Sequence, residues 1–447
     1  MERKRIYLCL AHMSEDGAEQ RYVKEAFDTN WVVPLGPNVN GFEKDLEVFV
    51  GEGKRVVALS AGTAAVHLGL LAAGVKAGDE VIVQSFTFCA SSHPITYLGA
   101  TPVLVDSERD TWNMDPELME EAIKDRIAKT GKKPKAIVPV ALYGMPYRID
   151  RMMEIADKYE IPVIEDAAEG FGSRFNGQVL GTFGKYGVLS FNGNKMITTS
   201  GGGALITAND DEWREIMMYA TQYRESYPYY QHEKIGYNYR MSNICAGIGR
   251  GQMTVVNDHL AHHKHVQKMY EELLKDVPGI YVHSQPDEWS MVNGQRSMVY
   301  DSNYWLCTIT IDENVKVKGQ EDAYKAIVTG AVGGAAGVVH AAESAHTDCE
   351  PNANVEAMRI ALDKAQIEAR PVWKPMHKQP CYLQGNVIIE KCKNANIICQ
   401  TSESSVAYVN GVSEAIFKVG MCLPAGPYVS DDDVRYIVDT IKANIIG

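Results

Sequence analysis

Strand-like and helix-like segments alternate from about residue 56 to about residue 205, and this alternation restricts the possible folds more than any other feature of the chain. The predicted strands are residues 56–59, 80–83, 101–106, 136–142 and 161–164, and the predicted helices are residues 64–73, 116–128 and 149–159. Asp115 stands directly before Pro116 and predicts the N-cap of the second of these helices. Since strands joined through helices pair in parallel, we predict an α/β fold with a largely parallel sheet.

The chain has 447 residues, which is enough for more than one domain. An aromatic-rich segment at residues 219–239 precedes a polar and amphipathic pattern that predicts one long helix at residues 243–274. The pattern beyond this helix is typical of α+β structure. We therefore predict a large α/β domain at residues 1–255 and a smaller C-terminal α+β domain at residues 256–447, with insertions near residues 326–354 and 386–403.

Composition and charge exclude several classes of protein. The formal net charge is −13 and the basic residues are scattered, so we expect no nucleic-acid partner. Nine cysteines without a C-x-x-C pair indicate neither a metal site nor a disulfide framework, which fits a reducing compartment. The N-terminal apolar run is too short for a signal peptide, and the uncharged run at residues 326–342 contains glycines and His340, which makes it a poor membrane span. We expect a cytoplasmic protein without membrane contact.

Lys195 is the first candidate catalytic residue. It lies between a strand that ends at Ser190 and the glycine cluster at residues 201–203, and it is the only charged residue from Tyr186 to Asn209. Burial in such an uncharged segment favours a neutral, nucleophilic amine of the kind that forms a Schiff base. The alternative is a lysine whose apolar stem is buried while its charged end reaches solvent.

Two further motifs follow predicted strands. The segment at residues 60–65 opens a helix with Gly62 and Thr63, so its free backbone N–H groups could bind a phosphate, although Ser and Thr also cap helices routinely. Asp166 follows the strand at residues 161–164, at the sheet edge where α/β proteins bind ligands. It either meets a buried cationic nitrogen or caps the next turn.

These motifs occur in order with several others along most of the chain. The others are the segments at residues 30–37 (NWVVPLGP), 85–88 (SFTF), 142–144 (LYG), 236–241 (GYNYRM), 370–377 (RPVWKPMH) and 422–424 (CLP). Together they resemble the DegT/DnrJ/EryC1/StrS family of sugar aminotransferases. Within that family the signature around Lys195 is most similar to the UDP-N-acetylbacillosamine transaminase type.

The resemblance implies a fold-type I, aspartate aminotransferase-like fold with pyridoxal 5'-phosphate as cofactor and no metal. Lys195 would hold the cofactor covalently and then move a proton to or from the substrate carbon. Asp166 would pair with the pyridinium nitrogen. The remaining implied cofactor-binding residues are Gly62, Thr63 and Ser190 at the phosphate, Phe88 on the ring face, Glu169 beside the ring hydroxyl, and Asn238 from the neighbouring subunit of a homodimer with shared active sites.

On the substrate side the resemblance implies Trp31, Arg240 and His377, which fall in motifs near the sugar or the amino-donor carboxylate. Each has a structural alternative. Arg240 would instead form an ion pair that braces the linker helix, which is the long helix predicted at residues 243–274. Trp31, like Trp373, would belong to the core.

The implied activity is transfer of an amino group, with glutamate as donor, to the keto carbon of a UDP-linked 4-keto-6-deoxy-N-acetylhexosamine. An enzyme for another nucleotide keto sugar, such as a dTDP-linked one, is the nearest alternative. A catalytically silent scaffold or regulator is an alternative of a different class, and it would need an appended binding module for which neither end of the chain has room.

Overall fold

The computed structural model describes residues 4–292, 294–329, 349–392 and 397–446. Its α-helices are α1 Ala18–Asp28, α2 Pro37–Val50, α3 Gly62–Ala72, α4 His93–Tyr97, α5 Pro116–Thr130, α6 Ile149–Lys158, α7 Asp210–Ala220, α8 Asn243–Met253, α9 Val256–Leu274, α10 Ala353–Lys364, α11 Val412–Val419 and α12 Asp431–Asn444. Asp115 caps α5 by accepting hydrogen bonds from the backbone N–H groups of Glu117 and Leu118, at 2.9 and 3.2 Å. The predicted N-cap is confirmed.

Most of the strands form two layers of different character, and the rest form three small sheets. The strands are β1 Arg55–Leu59, β2 Glu80–Gln84, β3 Thr101–Val105, β4 Ala136–Val138, β5 Ile164–Asp166, β6 Arg174–Phe175, β7 Gln178–Val179, β8 Tyr186–Ser190, β9 Gly203–Thr207, β10 Ile280–Val282, β11 Trp289–Val292, β12 Gln295–Met298, β13 Tyr300–Asp301, β14 Cys307–Ile311, β15 Lys316–Val317, β16 Arg370–Pro371, β17 Ile388–Lys391, β18 Ile398–Thr401, β19 Val406–Val409, β20 Gly420–Leu423 and β21 Ile445–Ile446. The three small sheets are β11-β12, β13-β6-β7 and β15-β21.

The first layer is the large sheet. It consists of two segments with the strand orders β1-β9-β8-β5 and β4-β2-β3-β19-β18-β17. The segments meet at β5 and β4 through two parallel bridges, Ile137 with Val163 and Val140 with Asp166. The pairs β5/β8, β2/β4, β2/β3 and β3/β19 are parallel, whereas β9 runs antiparallel to both of its neighbours. The core strands are buried along nearly their whole length because helices cover both faces. The largely parallel α/β sheet is confirmed.

The predicted single helix at residues 243–274 is wrong. The chain forms α8 and α9, which are separated by a turn at Thr254 and Val255. Before the turn, α8 packs closely against α1 and α2, and a Cβ on Gly251 would stand 2.5 Å from the backbone nitrogen of Glu19. The turn lets α8 stay against α1 and α2 while α9 continues to β10, β14 and α12 of the second layer.

The second layer is the antiparallel sheet β10-β14-β20-β16, which forms a separate core with α9, α10 and α12. The insertion predicted near residues 386–403 contributes β17 and β18 to the edge of the large sheet, because β19, which follows them, pairs with β3. This hairpin therefore follows residue 256, the predicted domain boundary, in the chain, but it belongs to the large sheet. Most of the insertion near residues 326–354 lies outside the described residues.

Within the described ranges no helix has both the length and the apolar character needed to cross a membrane. All nine cysteines lie in these ranges and are free thiols. The described part of the chain also contains no group of three or more His, Cys, Asp or Glu side chains placed to hold a metal ion.

Buried histidines predict that the fold is sensitive to acid. Burial lowers the pKa of His263, on α9, to about 3 and the pKa of His283 to about 4. Both values lie below the value of about 6.5 for an unfolded chain, so the unfolded state binds more protons and stability falls as the pH falls below that value. For His263 alone the loss at pH 4 is about 3 kcal/mol relative to neutral pH.

We therefore expect the apparent Tm in differential scanning fluorimetry to fall between pH 6.5 and pH 4, and to fall less for His263→Gln. His265→Gln is the control, because His265 lies on the same helix but is exposed. Identical pH profiles for the wild type and His263→Gln would contradict the assignment.

Candidate active site

A cavity of about 370 Å³ lies at the carboxyl ends of the parallel strands, the position where open α/β sheets bind ligands. It brings together residues that are far apart in sequence. The predicted cofactor residues that line it are Gly62, Thr63, Phe88, Asp166, Glu169, Ser190 and Lys195. The cavity also contains Ser91, Trp305 and Trp373, for which the sequence analysis assigned no role in the site.

Lys195 lies in the turn that follows β8. Its side chain is 13% exposed, and its Nζ lies 4.1 Å from the centroid of the Trp305 ring and 3.5 Å from Oε1 of Glu169. The Trp305 indole N–H donates a 2.7 Å hydrogen bond to the carbonyl oxygen of Asn194, which holds the turn before the lysine. The amine is therefore directed into the cavity, and the alternative of an end in open solvent does not apply.

Asp166 ends β5 and is 4% exposed. Its Oδ2 accepts a 2.6 Å hydrogen bond from the Ser91 hydroxyl, and its Oδ1 accepts a 3.1 Å hydrogen bond from the backbone N–H of Ala168. Burial raises the pKa of this carboxyl group, while the Ser91 hydrogen bond and the charge of Lys195 oppose the rise. A cation bound in the cavity would therefore stabilise the ionised carboxylate.

Glu169 lies between Lys195 and the backbone of Tyr143. Its Oε2 accepts a 2.7 Å hydrogen bond from the backbone N–H of Tyr143, and its Oε1 faces Lys195. Burial raises the pKa of Glu169, and the charge of Lys195 lowers it. The side chain thus fixes one edge of the cavity relative to the amine.

The opposite end of the cavity is suited to an anion. Helix α3 begins at Gly62, and no side chain caps its N-terminus in the described structure, so the first backbone N–H groups are available to a ligand. A Cβ on Gly62 would stand 2.9 Å from Cβ of Ser190, so glycine is required for the two to share this corner. The absence of a side-chain cap favours the phosphate interpretation over the simple cap.

Phe88 is at the mouth of the cavity. Its side chain is 51% exposed, and its ring centroid lies 5.6 Å from that of Trp373. An aromatic face with free space beside it can stack on a flat ring.

The remaining predicted residues do not line this cavity. Arg240 pairs with Glu43 and donates to the carbonyl oxygen of Ala58 at 3.0 Å, so it joins α2 to β1 rather than bracing the linker helix. His377 is fully buried, with Nδ1 2.7 Å from the Ser85 hydroxyl and Nε2 3.2 Å from Glu414.

Two predicted residues lie on the surface. Trp31 is 39% exposed. Asn238 is also exposed, and its backbone pairs with that of Thr221 in an antiparallel bridge. Their predicted roles, like those of Arg240 and His377, stay predictions. The sequence analysis assigned no role in the site to Trp305, Ser91 or Tyr143. Tyr143 lies in the motif at residues 142–144, whereas no quoted motif contains Ser91 or Trp305.

Comparison with known proteins places these features in context. A model of the DegT/DnrJ/EryC1/StrS aminotransferase family matches residues 13–335. The chain is 37% identical to EpsN of Bacillus subtilis over 438 residues, which cover 98% of this chain and 95% of that protein. It is 41% identical to the GDP-perosamine synthase of Caulobacter vibrioides over 367 residues, which cover 82% and 84% of the two chains.

Solved structures show the same fold. A DegT DnrJ EryC1 StrS aminotransferase from Brucella abortus matches with a TM-score of 0.75 at 24% identity, covering 96% of this chain and 95% of that chain. A sugar aminotransferase from Streptococcus pneumoniae in its PLP form matches with a TM-score of 0.74 over 98% of each chain.

Proposed function

The chain belongs to the DegT/DnrJ/EryC1/StrS aminotransferase family, and we propose that it transfers an amino group from glutamate to the keto carbon of a UDP-linked 4-keto-6-deoxy-N-acetylhexosamine. Its fold is fold-type I and its cofactor is pyridoxal 5'-phosphate. The observation that carries the proposal is that one cavity holds the largely buried amine of Lys195, buried carboxylates and an uncapped helix N-terminus.

The chemistry of these groups fits the cofactor. The N–H groups at Gly62 and Thr63 and the Ser190 hydroxyl suit a phosphate. Asp166 suits a protonated ring nitrogen, since burial raises the pKa of its carboxyl group and a bound cation would stabilise the ionised form. Phe88 offers an aromatic face for the ring, and Glu169 offers a carboxylate beside Lys195.

When bound, pyridoxal phosphate supplies an electron sink that stabilises negative charge on the substrate carbon. Lys195 would be the base and acid that moves the proton at this carbon, because its amine is the basic group that faces the cavity beside Glu169. Asp166 would keep the ring nitrogen of the cofactor in its protonated, positively charged form. Trp305 would keep the turn that carries Lys195 in place.

A GDP-linked keto sugar is the second candidate substrate. The similarity to the GDP-perosamine synthase of Caulobacter vibrioides, 41% identity over 82% of this chain, favours it. A GDP-perosamine synthase of Escherichia coli O157:H7 is 30% identical over 98% of each chain. A dTDP-linked sugar remains the third alternative.

A panel of UDP-, GDP- and dTDP-linked 4-keto sugars tests the proposal. Each is incubated with the pyridoxal-phosphate-loaded protein and nitrogen-15-labelled glutamate, and the products are analysed by mass spectrometry. We expect labelled nitrogen in the UDP-linked N-acetylated sugar. Labelling of the GDP-linked sugar alone would favour the second candidate, and labelling of none would favour a silent scaffold.

We further propose that the active enzyme is a homodimer in which Asn238 reaches the cofactor phosphate of the partner subunit. The exposed position of Asn238, outside the cavity of its own chain, supports this arrangement. Asn238→Ala and Lys195→Ala should each be nearly inactive, and mixing them should restore part of the activity.

The physical reason is symmetry: one site of each mixed dimer is intact and the other holds both defects. Subunit exchange is driven by mild denaturant and verified by native mass spectrometry of differently tagged chains. Mixed dimers that stay as inactive as their parents would show that Asn238 does not act across the interface.

A further inference from the structure

A second cavity of about 330 Å³ adjoins the cofactor cavity. The two share three lining residues, Thr87, Phe88 and Trp373. The first cavity, at about 370 Å³, has little room beyond the cofactor and the reacting carbon, so a nucleotide-linked sugar must extend elsewhere. The adjoining cavity is the space next to it.

Trp373 forms the wall between the two cavities. Its ring centroid lies 5.6 Å from that of Phe88 and 5.9 Å from that of Tyr143. Its backbone N–H donates a 2.7 Å hydrogen bond to the Tyr143 hydroxyl. Its buried indole Nε1 has no hydrogen-bond partner among the described residues, and an unpaired donor at such a wall indicates a missing acceptor.

Tyr143 holds this wall from behind. It is 4% exposed, and it has a positive φ of 54°, which is a strained conformation for a bulky residue. Its hydroxyl accepts the Trp373 hydrogen bond, while its backbone N–H donates at 2.7 Å to Oε2 of Glu169. Oε1 of Glu169 faces Lys195, so Tyr143 and Glu169 together connect Trp373 to the reacting amine.

We propose that the second cavity receives the sugar of the acceptor substrate, and that Tyr143 is a positioning residue that holds Trp373 against this sugar. The inference rests on the proposed function, since it assigns a sugar to the cavity. Glutamate is small enough to react without entering the second cavity. The amino-donor and sugar halves of the reaction therefore depend differently on Tyr143.

Tyr143→Phe tests this dependence because it removes the hydroxyl and keeps both the ring and the backbone N–H to Glu169. The glutamate half-reaction is followed as 2-oxoglutarate formed in a single turnover. The sugar half-reaction is measured with protein that has first been aminated by glutamate and then freed of it. We expect an apparent KM for the keto sugar about tenfold higher, with the glutamate half-reaction changed less than about twofold.

Tyr147→Phe is the matched control. Tyr147 is also a buried tyrosine that, like Tyr143, lines neither cavity, but its hydroxyl donates to Glu165 at 2.9 Å and has no hydrogen bond with Trp373. We expect it to lower the apparent Tm without separating the two half-reactions. If Tyr143→Phe changes both half-reactions equally, or neither, Tyr143 is only a structural residue and the proposal is overturned.

A binding measurement keeps this inference distinct from the proposed function. UDP-N-acetylglucosamine serves as an unreactive probe in isothermal titration calorimetry. Should the wild type bind the probe but aminate no keto sugar, the proposed function fails while a roughly tenfold weaker Kd for Tyr143→Phe still supports the cavity assignment. An unchanged Kd, or no binding of either this probe or GDP-mannose to the wild type, would overturn it.

Discussion

Replacing Lys195 with alanine is expected to reduce amino-group transfer by roughly a thousandfold or more, because the variant lacks the nucleophile and the proton carrier of the site. The side chain is held between Glu169 and Trp305, and the buried cavity offers no second lysine among its lining residues. Activity is measured as 2-oxoglutarate formed from glutamate in the presence of the keto sugar. Borohydride reduction and peptide mass analysis should find pyridoxyl phosphate on the Lys195 peptide of the wild type only.

Lys185→Ala is the control for this experiment. Lys185 lies ten positions earlier, its side chain is 41% exposed, and it is outside the cavity. This variant should keep wild-type activity and wild-type labelling of Lys195. An active Lys195→Ala protein that still acquires the borohydride-stable label would refute the assignment.

Replacing Asp166 with asparagine is expected to lower kcat roughly a hundredfold while the cofactor still binds. Loss of one preorganised electrostatic contact in an active site typically has an effect of this size. Asparagine is nearly isosteric and can keep the hydrogen bonds with Ser91 and Ala168, but it carries no charge. The cofactor's ring nitrogen would then lose the anion that favours its protonated form. Measurement of kcat, together with the Kd for pyridoxal phosphate from a fluorescence titration, separates the two effects.

The neighbouring Glu165 gives a matched comparison. It is also buried on β5, but its carboxylate accepts hydrogen bonds from the backbone N–H groups of Gly181, Phe183 and Gly184 and from the Tyr147 hydroxyl. Glu165→Gln should lower the apparent Tm and leave kcat per folded molecule unchanged. A wild-type kcat for Asp166→Asn would mean that Asp166 is only a turn residue.

Local patterns were sufficient for the α/β architecture. Alternation of strands and helices predicted the parallel sheet, and Asp115 before Pro116 predicted a helix cap, because both depend on residues a few positions apart. The break in the predicted helix at residues 243–274 was missed, since α8 and α9 pack on different partners, and Gly251 on α8 lies against Glu19, more than two hundred residues earlier. Periodicity within one segment contains no information about such a contact.

The sequence by itself determined the family motifs, and with them Lys195, Asp166 and the glycine corner at Gly62, because strand ends and helix starts in this fold class converge at one sheet edge. Only the tertiary structure decided that Arg240 and His377 are held by Glu43, Ser85 and Glu414 inside the protein. It also brought Trp305 to Lys195 and Tyr143 to Trp373. The physical reason is that burial and hydrogen-bond partners depend on which distant segments pack together, and a single sequence does not encode that packing in any local pattern.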